Sequence, residues 1–339
     1  MRPFLYERAD DVQSALRAAA PDGQASVPPT EAAAQFIAGG TLLLDLMKLD
    51  TMRPQMLVDI NALERTHGRI ESTPQGLRLG ALVRMSQAAE HPDILRDYPA
   101  VAQSLQQAAS AQLRNMASLG GNVLQRTRCQ YFRDPSWPSC NKRAPGTGCS
   151  ALEGVNRKHA VLGVSERCIA EYPGDFGPTL AALGAIVETA GPRGTRSIPF
   201  EQLHTDSEMP NVETVLMPGE LITGFTVPAG PWTRRSVYLK VRDRQSYAFG
   251  LATAAVALDM RDGVVGEARI GLGGVAYRPW RSHEAEDVLR GKPFDEDLAD
   301  AAARAAFAGA RTHGGNAYKI DLGRRTLVRA LLQAAKMEG

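Results

Sequence analysis

All four cysteines of this chain, Cys129, Cys140, Cys149 and Cys168, fall within 40 consecutive residues, and the other 299 positions contain none. The segment around them, from residue 125 to about 171, lacks helical or strand periodicity and is dense in Pro, Gly and Arg. Irregular stretches of that length are uncommon inside a compact domain unless they are functional. Whatever the fold, it must carry a long loop whose cysteines share a purpose. Their spacing, Cys129-x10-Cys140-x8-Cys149-x18-Cys168, leaves several purposes open. Two disulfides suit small secreted domains, but 339 residues supply a sizeable core without such staples. A four-cysteine zinc site favours C-x2-4-C pairs, which are absent. A [4Fe–4S] cluster needs four thiolates at tetrahedral corners, which widely spaced cysteines on a wrapping loop can supply. Arg126, Arg128, Arg133, Lys142 and Arg143 would offset the charge of thiolates and cluster. Pro145, Gly146 and Gly148 would let backbone N–H groups turn towards the sulfurs. On spacing alone the cluster is the favoured reading, with zinc and disulfides still open.

On either side of the loop the pattern is regular. A helix is predicted at Val12–Ala19, followed by a polar, proline-bearing stretch at 21–29. Residues 35–38 read as a short strand and 41–48 as a helix with Thr41 near its start. Strands are predicted at 57–60 and 77–83, and helices from 86 to 91 and from 100 to 117. Regular pattern resumes at 179–189 and ends on a strand at 221–227; Pro228-Ala229-Gly230-Pro231 is the linker candidate. Strands at 247–260 and 268–276 come next, then helices at 283–290, 298–310 and 325–336. Strands followed by helices predict an α+β fold and not a doubly wound sheet. The length favours two domains, which we place at 1–229 and 230–339.

Two glycine turns punctuate the first domain. Gly39-Gly40 stands between a strand and a helix, where unblocked N–H groups meet a positive helix terminus, a setting suited to a phosphate. Gly120-Gly121-Asn122 offers similar amides and a side-chain amide. A plain turn is the competing reading for each. Neither carries the G-x-G-x-x-G or G-x-x-x-x-G-K-[ST] fingerprint, so a dinucleotide here would require another fold. Gly271-Leu272-Gly273-Gly274 lies in a predicted strand and reads as a packing feature. The six histidines are scattered without metal spacing and read as structural or surface residues; Asp243 and Arg244 read as a pair at an interface or at the edge of a ligand site. With 39 basic and 37 acidic residues the net charge is +2, which gives no reason to expect nucleic acid or an anionic membrane as partner. No apolar run approaches a membrane span, and the start, Met1 to Arg8, lacks the features of a secretory signal.

Taken in order, Ala38-Gly39-Gly40-Thr41-Leu42 and Arg114-Asn115-Met116-Ala117-Ser118-Leu119-Gly120-Gly121-Asn122 resemble the FAD-binding subunits of the xanthine oxidase (molybdenum hydroxylase) family. Asp175-Phe176-Gly177-Pro178, Glu220-Leu221-Ile222, Tyr238-Leu239-Lys240, the stretch from Ala268 to Ala276 with Pro279, and Asn316-Ala317-Tyr318-Lys319 extend the likeness over nearly the whole chain. Within that family the residues flanking each cysteine resemble the FAD subunit of bacterial periplasmic aldehyde oxidoreductases, which carries a [4Fe–4S] cluster.

The resemblance implies a two-lobed FAD-binding domain of the vanillyl-alcohol-oxidase type followed by a small α+β domain. It implies that Gln35, Phe36, Ile37, Ala38, Gly39, Gly40, Thr41, Leu42 and Leu43 cradle the pyrophosphate. Ser110, Ala117, Ser118, Gly121 and Asn122 would form a second wall, Asp175 would bond a polar edge of the cofactor, and Ile222 and Lys240 would lie near the flavin ring. Cys129, Cys140, Cys149 and Cys168 would hold the cluster. Many relatives have Ser before the matched Asp, where this chain has Gly174, so one hydroxyl contact is expected to be missing. The implied function is electron transfer, with no catalytic residue in this chain. A molybdenum-cofactor large subunit would oxidise an aldehyde, and a [2Fe–2S] small subunit would pass electrons to FAD here and on to an external acceptor. The complex would be a heterotrimer, periplasmic through a partner's signal or else cytoplasmic. Competing expectations are a self-sufficient FAD oxidase acting on its own small substrate, and a zinc-stabilised scaffold that docks redox partners.

Overall fold

The computed structural model of the chain describes residues 1–19 and 27–338, so most of the polar stretch at 21–29 lies outside the described residues. Three short strands, β1 (Leu5–Arg8), β2 (Ala34–Ile37) and β3 (Met56–Asp59), pair in parallel in the order β1-β3-β2. Helix Val12–Ala19 supplies the crossover that parallel pairing requires, and its Ala15, Leu16 and Ala19 pack on Val58 and Ile60. This is the first lobe.

The second lobe is a five-stranded antiparallel sheet. Its strands β4 (Ile70–Thr73), β5 (Gly76–Gly80), β6 (Ile186–Gly191), β7 (Gly194–Pro199) and β8 (Leu221–Pro228) run in the order β4-β5-β8-β6-β7. Leu77, Leu79, Val187, Phe225 and Val227 recur at every second position and so share one face. They are buried with Val101, Leu105, Phe176 and Leu180 from helices Pro99–Gln106 and Phe176–Ala182.

The remainder of the chain builds a second antiparallel sheet, β9 (Ser236–Val241), β10 (Ala252–Arg261), β11 (Val264–Gly273) and β12 (Trp280–Arg281), in the order β12-β11-β10-β9. Helices His283–Leu289, Glu296–Ala306 and Tyr318–Ala335 cover it and bury Ala285, Leu289, Ala302, Phe307, Leu327 and Leu331. The glycines of β11 serve packing, as expected: a Cβ on Gly271 would collide with the Pro178 carbonyl of helix Phe176–Ala182. The fold is therefore α+β throughout, with two lobes and a C-terminal domain.

Several local expectations are corrected. The helix expected over 100–117 is two helices, Pro99–Gln106 and Ala111–Met116. Ala109 has a φ of 49°, and the Ser110 hydroxyl then caps the second helix by accepting from Leu113 N at 3.3 Å. Thr41 caps nothing; helix Leu43–Lys48 begins after Leu42 without a side-chain cap. The expected strand at 77–83 stops at Gly80. The strand expected from 247 starts only at Ala252, because Tyr247, with a φ of 51°, turns the chain into a loop. Strand β4 was not anticipated, and the last helix starts seven residues earlier than expected, at Tyr318. The cysteine loop also crosses the expected domain division, since Val161 and Leu162 are buried in the C-terminal core.

Candidate functional site

A cleft of about 1140 Å3 opens where the two lobes meet the C-terminal domain. Its first wall is Gln35 to Leu43, leaving β2 and entering helix Leu43–Lys48. Gly40 has a φ of 69°, a conformation that disfavours side chains, and a Cβ on Gly39 would strike the Met116 carbonyl. The first glycine turn thus sits against the backbone at the end of helix Ala111–Met116, just before the second turn. Ala117, Ser118, Gly121 and Asn122 form the facing wall, and Asp175 lies on the same surface. Asp243, Arg244 and Tyr247 to Leu251 of the C-terminal domain close the rim, with Tyr247 and Phe249 exposed.

The polar atoms of this cleft suit an anionic, hydrogen-bonding cofactor. Helix Leu43–Lys48 leaves its leading amides without a side-chain acceptor. Among the described residues the buried Asn122 Oδ1, Arg128 Nε and Arg133 Nη1 have no hydrogen-bond partner, and all three side chains line the cleft. Three orphaned groups around one cleft would be costly unless a ligand answers them. The residues present fit FAD. Gly39→Ala, which forces the first turn away from the Met116 carbonyl, should weaken FAD binding about tenfold, read by flavin fluorescence on titrating apoprotein; unchanged affinity would mean that this close approach is dispensable.

Three of the expected flavin residues stand outside the lining. Ser110 is spent on its helix cap. Ile222 is buried in the core of the second lobe. Lys240 is behind the wall, donating to Asp175 Oδ2 at 2.8 Å and to the Gln107 carbonyl at 3.1 Å. Tyr238 donates to the other oxygen of Asp175 at 2.5 Å. Burial pushes the Asp175 carboxyl up, against the opposing pull of Lys240 and Tyr238. Gly174 also has a local reason, since any side chain there would meet the ring of Tyr172, whose hydroxyl donates to the Val123 carbonyl at 3.0 Å.

All four cysteines are free thiols and line one pocket, with Tyr131, Phe132 and Lys142 among its other walls. Cys140 and Cys149 face each other across a β-bridge, as do Ser165 and Cys168. Among the described residues no group of three or more His, Cys, Asp or Glu side chains is arranged to hold a metal ion. The sulfurs accept from backbone amides: Tyr131 and Phe132 to Cys129, Ala151, Leu152 and Ile169 to Cys149, and Ala170 to Cys168. Burial pushes Cys129 up to about 12. Cys149, which accepts hydrogen bonds from the Cys168 thiol and from those amides, is brought below the ordinary thiol value.

The basic residues of the loop act differently from expectation. Arg128 and Arg133 pair with Asp45 at 3.1 and 2.9 Å, and Arg126 and Lys142 pair with Glu213 at 2.9 and 3.1 Å. Arg143 donates to the carbonyls of Tyr131, Phe132, Asp134 and Trp137. The amides of Gly146 and Gly148 donate to Asn141 Oδ1 at 3.0 and 2.9 Å, not to sulfur. These groups hold the loop's shape; of them Lys142 borders the cysteine pocket, where Arg167 is a further basic residue. Asp243 pairs with Arg157 at 2.9 Å on the cleft rim.

One residue of the cleft wall was not anticipated. His159, expected to be structural or on the surface, places Nε2 3.1 Å from Cys129 Sγ and lines the cleft. Nothing in the spacing of histidines could have found it, because the contact spans 30 residues of irregular chain.

Comparison with known proteins agrees with this geometry. Residues 2–230 match the FAD binding domain in molybdopterin dehydrogenase, and residues 237–334 match the CO dehydrogenase flavoprotein C-terminal domain. The aldehyde oxidoreductase FAD-binding subunit PaoB of Escherichia coli (strain K12) is 44% identical over 338 residues, covering 98% of this chain and 99% of that one. The 6-hydroxypseudooxynicotine dehydrogenase complex subunit alpha of Paenarthrobacter nicotinovorans is 28% identical over 98% of this chain and 97% of its own. In fold, carbon monoxide dehydrogenase from Hydrogenophaga pseudoflava superposes with a TM-score of 0.75 at 24% identity, covering 98% of this chain and 97% of that one. Matched in order along nearly its whole length, the chain belongs to the FAD-binding subunits of the molybdenum hydroxylase family.

Proposed function

We propose that this chain is the electron-transfer subunit of a molybdenum-dependent aldehyde oxidoreductase, binding FAD in the cleft and a [4Fe–4S] cluster on Cys129, Cys140, Cys149 and Cys168. Its partners would be a molybdenum-cofactor large subunit and a [2Fe–2S] small subunit, with electrons leaving to an external acceptor. The observation that carries the reading is that four cysteines stand round one pocket, and that one of them, Cys129, also lines the FAD cleft. A cluster needs its thiolates held apart around an inner volume, since each binds a different iron. The aldehyde follows from the 44% identical relative, an aldehyde oxidoreductase subunit.

When bound, FAD supplies two-electron and one-electron redox chemistry. The protein's own contribution is placement. Gln35 to Leu43 on one side and Ala117, Ser118, Gly121 and Asn122 on the other would hold the cofactor, and Asn122 Oδ1 would offer it an unspent acceptor. Asp175 stays anchored by Tyr238 and Lys240, so the wall behind it is rigid. The direct test is cofactor and metal analysis of the anaerobically purified complex. Iron, acid-labile sulfide and FAD are expected with the chain, and molybdenum with its partner. The isolated chain should leave its flavin oxidised when aldehyde is added; bleaching by aldehyde alone would replace the relay with a self-sufficient oxidase. Zinc without iron would remove the cluster.

A further inference from the structure

The wall shared by the cleft and the cysteine pocket contains a histidine whose ring has nowhere else to go. His159 is only 5% exposed, lines the cleft, and sets Nε2 3.1 Å from Cys129 Sγ. Its Nδ1 is buried without a partner among the described residues. It is also the only side-chain nitrogen hydrogen-bonded to a cysteine sulfur among the described residues.

The ring position is built. The His159 amide donates to the Asn156 carbonyl at 2.9 Å, and the Asn156 side chain donates in turn to the Ala151 carbonyl at 3.1 Å and the His313 carbonyl at 2.6 Å. On either side of His159, Lys319 Nζ holds the Lys158 carbonyl at 2.6 Å and Asn316 Nδ2 holds the Ala160 carbonyl at 2.9 Å. The tail of the C-terminal domain therefore fixes the backbone on both flanks of His159, and burial confines its imidazole. A metal-bound thiolate has no hydrogen to give, so the bond to Cys129 must be donated by Nε2–H, which leaves Nδ1 as a bare acceptor. An N–H bonded to a cluster sulfur draws electron density from it and favours the more negative, reduced state.

We propose that His159 is a positioning residue that acts through Cys129: its Nε2–H holds the sulfur in place and raises the reduction potential of the cluster. The inference rests on the cluster reading above and adds to it one side chain with one role. In the full complex, His159→Leu removes the donor, whereas His159→Gln keeps an N–H in reach of the sulfur. The measurements are iron and acid-labile sulfide per chain, FAD content, and an EPR-monitored redox titration. His159→Leu should shift the cluster midpoint negative, by enough to change the oxidised-to-reduced ratio at the wild-type midpoint about tenfold, or about 59 mV for one electron. His159→Gln should return towards wild type. Loss of the cluster from His159→Leu with retention in His159→Gln would also support the role. Equal midpoints in wild type and His159→Leu, or equal damage by both variants, would overturn it. Wild-type complex without iron would instead remove the cluster reading, with FAD binding untouched.

Discussion

Glu213→Leu should destabilise this protein by about 3–5 kcal/mol, the usual cost of leaving a buried ion pair without one member. Glu213 accepts from Arg126 at 2.9 Å and from Lys142 at 3.1 Å, and the three side chains are 13%, 8% and 6% exposed. Lys142 donates as well to the Pro210 carbonyl and to the Tyr277 hydroxyl, at 3.0 and 3.1 Å. The node thus ties the end of the second glycine turn, the cysteine loop and the C-terminal domain to one carboxylate. Removing it strands two buried cations. Burial alone would raise the Glu213 carboxyl, but Arg126 and Lys142 win and bring it down to about 2. A folded value below the unfolded 4.5 means that this stabilisation is whole above pH 4.5 and is lost as pH falls from there towards 2. The window is worth about 3 kcal/mol, at 1.36 kcal/mol per pH unit. The urea midpoint of wild type should therefore fall between pH 4.5 and pH 3 more steeply than that of the variant. Adding Lys142→Met to Glu213→Leu should recover part of the loss, because one stranded charge is replaced by apolar surface. A double variant as unstable as the single one would mean that geometry, not charge, governs the node.

The walls of the cleft were largely legible because they are made of consecutive residues. Gln35 to Leu43 enter as one strand–turn–helix unit, and Ala117 to Asn122 as one turn, so local sequence carries both. The four cysteines were legible for a different reason, namely their crowding into one irregular segment. What escaped depends on side chains that meet only after folding. Lys240 reads as a flavin contact from its place in a motif, yet β9 delivers its ammonium to Asp175 behind the wall. Five basic residues near the cysteines suggest charge compensation of sulfur. In the fold, acidic residues from 83 to 88 positions away and from 71 to 87 positions away claim four of them first. The early start of the last helix was hidden by Lys319, a cation in a position that periodicity assigns to solvent. It is fully buried and donates to Glu171 at 2.9 Å and to the carbonyls of Lys158 and Gly274, both at 2.6 Å, so all three of its hydrogens are used.

On the proposed cluster reading, Cys140→Ser should reduce the iron and acid-labile sulfide of the purified complex to background and abolish the broad visible absorbance such a cluster gives, while FAD content stays within about twofold of wild type. Serine is nearly isosteric, but its hydroxyl remains protonated at neutral pH and is a poor substitute for a thiolate on iron. Cys140 is buried against Leu46, Met52 and Phe132, so the new hydroxyl adds a desolvation cost of roughly 1–3 kcal/mol. That cost falls on the cysteine pocket. Cys140 does not line the cleft, and the residues that do, from Gln35 to Leu43 and from Ala117 to Asn122, keep their own backbone contacts. Cys129→Ser makes the contrast, since Cys129 borders both spaces and bonds to His159. It should lose the cluster and also disturb the flavin, seen as a change in FAD fluorescence or retention. Iron retained in Cys140→Ser would show that this cysteine is not a ligand. Equal loss of iron and FAD from Cys140→Ser would show instead that the loop is part of the flavin site, and that the wall at Cys129 joins the two cofactors into one cooperative unit.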